Sequence, residues 1–233
     1  MTLKIFMMSR IFLLTALISF KVLALEVPEY KAKYQFDSEE ISITGIREFT
    51  KNENGYELKF KASNIVASMY FSSLFDIEDN QIKSSKYNIK IRPKFLKRDQ
   101  RVNFDYKTSV VSSVGRNEWQ KKFELNKATV DPLNAQIMIR GNIKNGINSF
   151  SLNLLNMRNG DTEKYDYVVT DRIKCSFGKS EYNCIVLERI REGSSRKTTY
   201  FLAEELGFMF IKITDESDNG KSTLELKEIL SFG

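Results

Sequence analysis

The side chains that could do chemistry in this sequence are carboxylates, hydroxyls and two cysteines, because the 233 residues contain no histidine. Without imidazole the chain has no means to build a Ser-His-Asp or Cys-His centre, a histidine-ligated zinc site or an ordinary pH switch near neutrality. Two carboxylates could hydrolyse a glycosidic bond, but no pair lies in a supporting motif. We therefore expect no enzyme and no cofactor, and a carboxylate-based hydrolase is the weakest functional hypothesis.

One acidic turn, from Asp215 to Gly220, resembles the start of a calcium-binding loop. Its third position is Ser217 and its twelfth is Leu226, so the bidentate carboxylate that calcium needs is missing. A hairpin turn explains the segment better, and we expect no metal site.

The first 24 residues have the form of a secretory signal peptide. Lys4 and Arg10 precede an apolar run over residues 11–20, and small or modest residues lead up to Ala24. Lys21 ends the run at about half of the roughly 20 apolar residues that span a bilayer, which disfavours the alternative of an uncleaved anchor. We predict cleavage after Ala24 and a product that does not span the membrane.

Cleavage leaves residues 25–233, which we predict to be one domain because no linker rich in Pro, Gly or Ser interrupts them. Export places this domain in the periplasm or outside the cell, with a Gram-negative bacterium as the expected source. The domain keeps 33 of the 36 basic residues against 30 acidic ones, and the two signs interleave. A nucleic-acid partner is not expected, because it would require a clustered basic face with stacking aromatics.

One basic cluster does stand out, and we interpret it as a solvated loop between two strands, with anionic lipid head groups as the alternative partner. Its members are Arg92, Lys94, Lys97, Arg98 and Arg101.

The two cysteines, Cys175 and Cys184, are separated by eight residues with Gly178 near the middle, a spacing typical of a hairpin tip. In an oxidising compartment they should form a disulfide. The alternative, a redox pair, usually has the tighter Cys-x-x-Cys spacing.

Most of the chain alternates between apolar and polar residues, as strands with one buried face do. The clearest run is Tyr56 to Ala62, and Asn54-Gly55 before it marks a turn from the strand that holds Ile41 and Ile43. Similar runs recur to the C-terminus, separated by turns such as those at residues 159–161 and 218–220. The pattern predicts a mainly β, single-domain antiparallel meander that forms a curved sheet or half-barrel.

One or two short helices are expected inside this meander. Asp131 followed by Pro132 predicts a helix start, and the helix should continue to Gly141. A second stretch, from Ile65 to Phe75, also has helical spacing, but its Ser and Tyr content leaves helix and strand both open.

The C-terminal third carries residues that resemble a known family. Residues 196–213 read RKTTYFLAEELGFMFIKI and follow CIVLER at residues 184–189. This arrangement resembles the bacterial exported family called domain of unknown function 3108 (DUF3108). Pro93 with Phe95, and the helix start at Asp131, also look like it.

The resemblance covers roughly Tyr30 to Ile229 and implies an exported, mainly β protein without an assigned activity. Phe201 and Phe210 stand where the family usually has Trp and Pro. Phe201 keeps an aromatic side chain in place of Trp. Phe210 has the backbone N–H that Pro lacks, so neither change threatens the fold. No catalytic residue is carried over.

Export, the meander and the many aromatic residues favour a binding or carrier protein for an apolar or amphiphilic envelope molecule, such as a lipid. The alternative is an interaction module that assists an envelope protein through an exposed strand edge. A cavity of several hundred Å³, on the order of what ligand pockets occupy, would favour the carrier.

A helix beside a curved sheet leaves a space that is either a ligand site or filled core, and both interpretations stay open. If it is a site, its lining should come from inward-facing residues near the helix. The candidate ligand-binding residues are Trp119, Phe123, Ile137, Phe208 and Phe210.

The single tryptophan provides a test. Trp119 fluorescence should shift when a long-chain lipid or a detergent monomer is added, because the indole would move to a less polar environment. Unchanged emission across a panel of such amphiphiles would count against the carrier hypothesis.

Overall fold

The computed structural model of this chain describes residues 25–93, 98–123, 129–191, 193–218 and 220–233. The predicted signal peptide with its cleavage site at Ala24 lies outside the described residues, as do Lys94 and Lys97 of the basic cluster and Asn219 of the acidic turn.

The described chain forms one sheet of fifteen strands. The strands are β1 (Tyr30–Ser38), β2 (Ser42–Asn52), β3 (Gly55–Ser63), β4 (Ala67–Glu78), β5 (Gln81–Pro93), β6 (Arg98–Asp105), β7 (Val110–Gly115), β8 (Trp119–Lys122), β9 (Thr129–Val130), β10 (Ser149–Leu155), β11 (Thr162–Phe177), β12 (Ser180–Ile190), β13 (Lys197–Ala203), β14 (Met209–Ser217) and β15 (Gly220–Phe232).

The strands pair in the order β8 down to β1, followed by β15 down to β9. All pairs are antiparallel except the two-residue pairing of β9 with β10. The first and last strands therefore meet in the middle of the sheet, where Tyr30 pairs with Phe232 and Ser38 with Ser222. The predicted mainly β fold with a curved antiparallel sheet is confirmed.

Local turn chemistry and alternation explain the hairpins. β2 turns into β3 through Glu53 and Asn54, one residue before the predicted Asn54-Gly55, and Asn52 lies opposite Gly55. The stretch from Ile65 to Phe75, for which the sequence allows helix or strand, lies mostly in β4. Pairing on both sides, with β3 and β5, satisfies its backbone groups in a way that helical spacing along the sequence does not reveal.

One α-helix, α1 (Ala135–Lys144), lies against the inner face of the sheet, and six of its ten residues are buried. It begins after the predicted Asp131-Pro132 turn, but the expected end at Gly141 is wrong. A Cβ atom at Gly141 would lie 1.7 Å from Leu25 Cδ1, so this glycine allows the N-terminal segment to cross the helix closely. It serves packing and does not terminate the helix.

A buried polar cluster holds the start of α1 to the sheet. Asp131 accepts hydrogen bonds from the Ser73 hydroxyl at 2.6 Å and from the backbone N–H groups of Leu133 and Asn134 at 2.8 and 3.0 Å. The Asn134 side chain in turn donates to Ser84 Oγ at 2.8 Å. The helix is thereby tied to β4 and β5, and the sheet has to curl to bring these strands over it.

Cys175 and Cys184 lie at disulfide distance across the β11–β12 hairpin, with their Cα atoms 5.8 Å apart. The two-residue turn after Phe177 brings them there, as the spacing predicted.

Within the described ranges, no helix is long and apolar enough to cross a bilayer. The same residues contain no cluster of three or more potential acidic or cysteine metal ligands.

The buried carboxyl at the helix start should make stability depend on pH. Burial raises the pKa of Asp131 from 3.8 to about 6, against the opposing effect of its hydrogen bonds to Ser73 and the backbone. The folded state therefore holds this proton more tightly than the unfolded state. This contribution is fully present below pH 4 and is lost as the pH rises through about 6.

In Asp131→Asn the amide oxygen can still accept from the backbone and its NH₂ can donate to Ser73, but the group no longer titrates. Between pH 3.5 and 7 the unfolding free energy of the wild type should fall relative to the variant by roughly 3 kcal/mol. Parallel stability curves for the two proteins, from urea denaturation at each pH, would contradict this.

Candidate functional site

An open pocket of about 610 Å³ lies on the inner face of the sheet, beside the start of α1. Its wall comes from β10 to β14, the β10–β11 turn and the helix start. The lining residues are Pro132, Gln136, Leu154, Leu155, Asn156, Met157, Arg158, Glu163, Tyr165, Arg189, Arg191, Arg196, Thr198, Tyr200, Ile213 and Asp215. The volume falls within the roughly 300 to 1,000 Å³ of small-molecule sites.

The strand register places the central polar residues in one row. Arg189 on β12 is opposite Thr198 on β13, and Thr198 is opposite Asp215 on β14. Residues opposite one another in a sheet present their side chains on the same face, so this row is set by the antiparallel pairing alone. Arg189 Nη2 donates to Thr198 Oγ1 at 2.7 Å, which orients the guanidinium along the row.

Two arginines flank one tyrosine ring at the pocket wall. The guanidinium carbons of Arg189 and Arg191 lie 5.0 and 4.9 Å from the centroid of Tyr165. The Tyr165 hydroxyl donates to Glu163 and accepts from Arg191, and Arg191 also forms a 3.8 Å ion pair with Glu163. Ring stacking and hydrogen bonds together hold this side of the pocket in one arrangement.

Both carboxylates of the pocket are already engaged. Hydrogen bonds from Tyr165 and Asn156 hold the pKa of Glu163 below its usual value. Asp215 takes a two-point contact from Arg196, with Nε to Oδ1 at 2.8 Å and Nη2 to Oδ2 at 2.5 Å. A general acid needs a raised pKa, so Glu163 has the opposite tuning from the acid of a glycosidase.

Behind the pocket, Gln136 connects its wall to a fully buried cation. Gln136 Oε1 accepts from Arg47, whose Nε donates to the Tyr30 hydroxyl at 2.7 Å. The Arg47 guanidinium also lies over Tyr34 and Phe210, at 5.8 and 5.9 Å from their ring centroids. Within the described residues Arg47 has no carboxylate within ion-pair distance.

A second buried arginine lies on α1 itself. Arg140 donates to the backbone carbonyls of Gly207 and Pro28 at 3.1 and 3.3 Å, and its guanidinium lies 5.1 Å from the ring centroid of Tyr30. Its Nη1 atom is buried without a hydrogen-bond partner in the described structure. Burial lowers the pKa of Arg140 to about 10, which leaves it charged at neutral pH.

The five candidate residues from the sequence fall into two groups. Ile137 and Phe210 are buried in the core, Phe210 beneath Arg47. Phe208 follows the turn at Gly207, has a positive φ of 58° itself, and packs against the core. None of these three residues lines the 610 Å³ pocket.

Trp119 and Phe123 lie nearer to the pocket, in the segment that contains β8. Phe123 lines a smaller neighbouring cavity of about 170 Å³ that shares Leu155 with the larger pocket. The Trp119 indole N–H donates to the carbonyl of Met157, a lining residue, at 3.1 Å. The tryptophan is therefore a neighbour of the larger pocket and lies outside its wall.

The residues that sequence reasoning missed are the arginines of the wall. The sequence pattern predicts interleaved surface charge here, because Arg189 follows Glu188 and Arg191 precedes Glu192. Strand pairing places Arg189 on the inner face, and the segments beside the strands bring Arg158, Arg191 and Arg196 to the same pocket. The signal that could have found Arg189 is its position in the strand β12, where alternation places it on the inner face.

Taken together, one curled antiparallel sheet around a single helix defines a β-barrel-like protein with a cationic pocket on its inner face. A solved structure of the same type is that of a beta-barrel-like protein of domain of unknown function DUF1849 from Brucella abortus. The two are 12% identical, with a TM-score of 0.56 over 88% of this chain and 98% of the other. At this identity the likeness concerns the fold alone.

The chain belongs to the family described as protein of unknown function (DUF3108), whose model matches residues 29–227. The resemblance drawn from the C-terminal third is thus confirmed over most of the described chain. No curated protein matches the sequence significantly.

The turn next to the pocket offers a test of its packing. At Gly160 a Cβ atom would lie 2.4 Å from the Trp119 ring, and φ is +76°. Gly160→Ala should therefore cost both backbone strain and a clash with Trp119. Gly178 is the matched control, because its φ is +61° and nothing lies within 4 Å of its Cβ position.

We expect Gly160→Ala to lower the unfolding free energy by about 2 kcal/mol more than Gly178→Ala. Its Trp119 emission should also change in the native state. Equal losses of stability with unchanged emission would show that Trp119 does not cover this turn.

Proposed function

We propose that this protein is a non-catalytic binding or carrier protein for an amphiphilic molecule of the cell envelope, and that it acts in the periplasm or outside the cell. The observation that supports the proposal is the 610 Å³ pocket with an apolar and a cationic part. Ligand sites of this size commonly combine a mainly apolar wall with a few fixed polar groups.

The apolar part of the pocket is suited to a hydrocarbon chain. Leu154 and Leu155 are buried at the end of β10, and Ile213 and the Tyr200 ring form the opposite side on paired strands. Burying a chain against such side chains stabilises a complex by about 0.8 kcal/mol per methylene group. The polar residues at the other side can meet a head group.

The export argument supports the location. The sequence carries a predicted signal peptide over residues 1–24, and Cys175 and Cys184 lie at disulfide distance, which suits an oxidising compartment. The engaged state of Glu163 and Asp215 supports a binding role over hydrolysis, because both carboxylates are held by arginines and neither is left as a free acid or base.

Filling the pocket tests this function. Ile213→Trp should occupy part of the pocket while keeping a residue that is favourable in strands. Thr214→Trp is the matched control, since the next residue on β14 points to the opposite face of the sheet and does not line the pocket.

Wild type and Thr214→Trp should bind a dodecyl-chain amphiphile, measured by calorimetry below its critical micelle concentration. Ile213→Trp should bind at least about tenfold more weakly, which corresponds to the burial of two methylene groups lost. Equal affinities for all three proteins would place the ligand elsewhere, and no binding by wild type would contradict the carrier function.

A further inference from the structure

We propose that the pocket selects ligands with an anionic head group, and that the Arg189 guanidinium binds this group. The inference rests on the proposed binding function and adds the chemical class of the ligand. The group is a phosphate or carboxylate, either attached to a hydrocarbon chain or as a free ion.

The charges of the wall do not balance. Four arginines line the pocket, at positions 158, 189, 191 and 196, against two carboxylates, Glu163 and Asp215. Arg191 pairs with Glu163 and Arg196 pairs with Asp215. Within the described ranges Arg158 and Arg189 form no ion pair, so the site has two positive charges that its own acids do not neutralise.

Arg189 is held in place without being neutralised. Its partners include the Thr198 hydroxyl and the face of Tyr165, with the Tyr167 phenol as a further hydrogen-bond partner. These contacts fix the planar guanidinium without neutralising it, and Asp215, which also acts electrostatically on Arg189, forms its ion pair with Arg196. A guanidinium that is held in this way presents remaining N–H donors in a fork that matches the oxygens of a phosphate or carboxylate.

The protein interior adds to the positive potential. Two arginines behind the pocket are fully buried, and neither forms an ion pair in the described structure. Arg47 on β2 contacts the pocket residue Gln136, and Arg140 lies on the same helix as Gln136. Charges in a low-dielectric interior are screened less than charges in water. An anion in the pocket would therefore be favoured by the core behind it as well as by the wall.

The test compares amphiphiles that share one chain and differ in head group. Dodecyl phosphate and dodecanoate are anionic, dodecylphosphocholine is zwitterionic and dodecyl maltoside is neutral. Affinities would be measured by calorimetry below the critical micelle concentrations. We expect the anionic pair to bind at least about tenfold more tightly than the maltoside, as a charge-assisted contact would give.

Three variants assign the selectivity. Arg189→Gln should remove the tenfold preference for the anionic head groups over the maltoside, and Arg189→Lys should retain part of it because the charge stays but the planar fork is lost. Arg172→Gln is the matched control, since Arg172 is paired with Glu204 and lies outside the pocket. It should keep the full preference.

The salt dependence of binding can be measured on the wild-type protein, so this test does not depend on the folding of a variant. Its affinity for dodecyl phosphate should fall as NaCl is raised, and its affinity for the maltoside should not. Inorganic phosphate distinguishes the two sources of the anion: weak competition identifies a chain-bearing ligand, and competition as strong as that of dodecyl phosphate identifies a free ion. Both results keep the anionic site.

Equal binding of all four amphiphiles, with Ile213→Trp still weakening each one, would overturn the anionic inference and leave the carrier function standing. If Arg172→Gln lost the preference to the same extent as Arg189→Gln, Arg189 would not be the residue that recognises the anionic head group. Absence of binding for every amphiphile would contradict the carrier function itself.

Discussion

The structure depends on one constraint: a single long sheet has to bury its inner face, and the only α-helix in the described chain, α1, has ten residues to cover it with. The polar cluster around Asp131 fixes one end of that helix to β4 and β5. Arg140 fixes its middle to the carbonyls of Pro28 and Gly207. The sheet curls because its strands must reach these anchors, and the helix is too short to fill the whole inner face.

The pocket is the part of the inner face that the helix leaves uncovered. Its wall is built by the antiparallel pairing of β10 to β14 together with the β10–β11 turn and the helix start, and its polar row follows from strand register. Buried arginines usually require carboxylate partners. Arg47 and Arg140 instead rely on tyrosine rings, tyrosine hydroxyls and carbonyls, so the interior keeps a positive charge beside the pocket.

The fold class was predictable from alternation and turn residues, as at Asn54-Gly55, because strands and hairpins are encoded within a few residues of sequence. The disulfide spacing was predictable for the same reason. The end of α1 was not, because Gly141 is set by the distant Leu25 and not by the helix terminus. Likewise the place of Arg189 depends on which strands pair, and the expectation of inward-facing residues near the helix selected Ile137 and Phe210, which are core residues.

The central claim is that the uncovered inner face holds a ligand. Native mass spectrometry of the protein purified from its own host tests it most directly, because it needs no prior choice of ligand. The account predicts a complex with a small acidic amphiphile that is lost on gentle activation in the gas phase. A population that consists of the bare chain alone, or of the chain bound only to another protein, would contradict it.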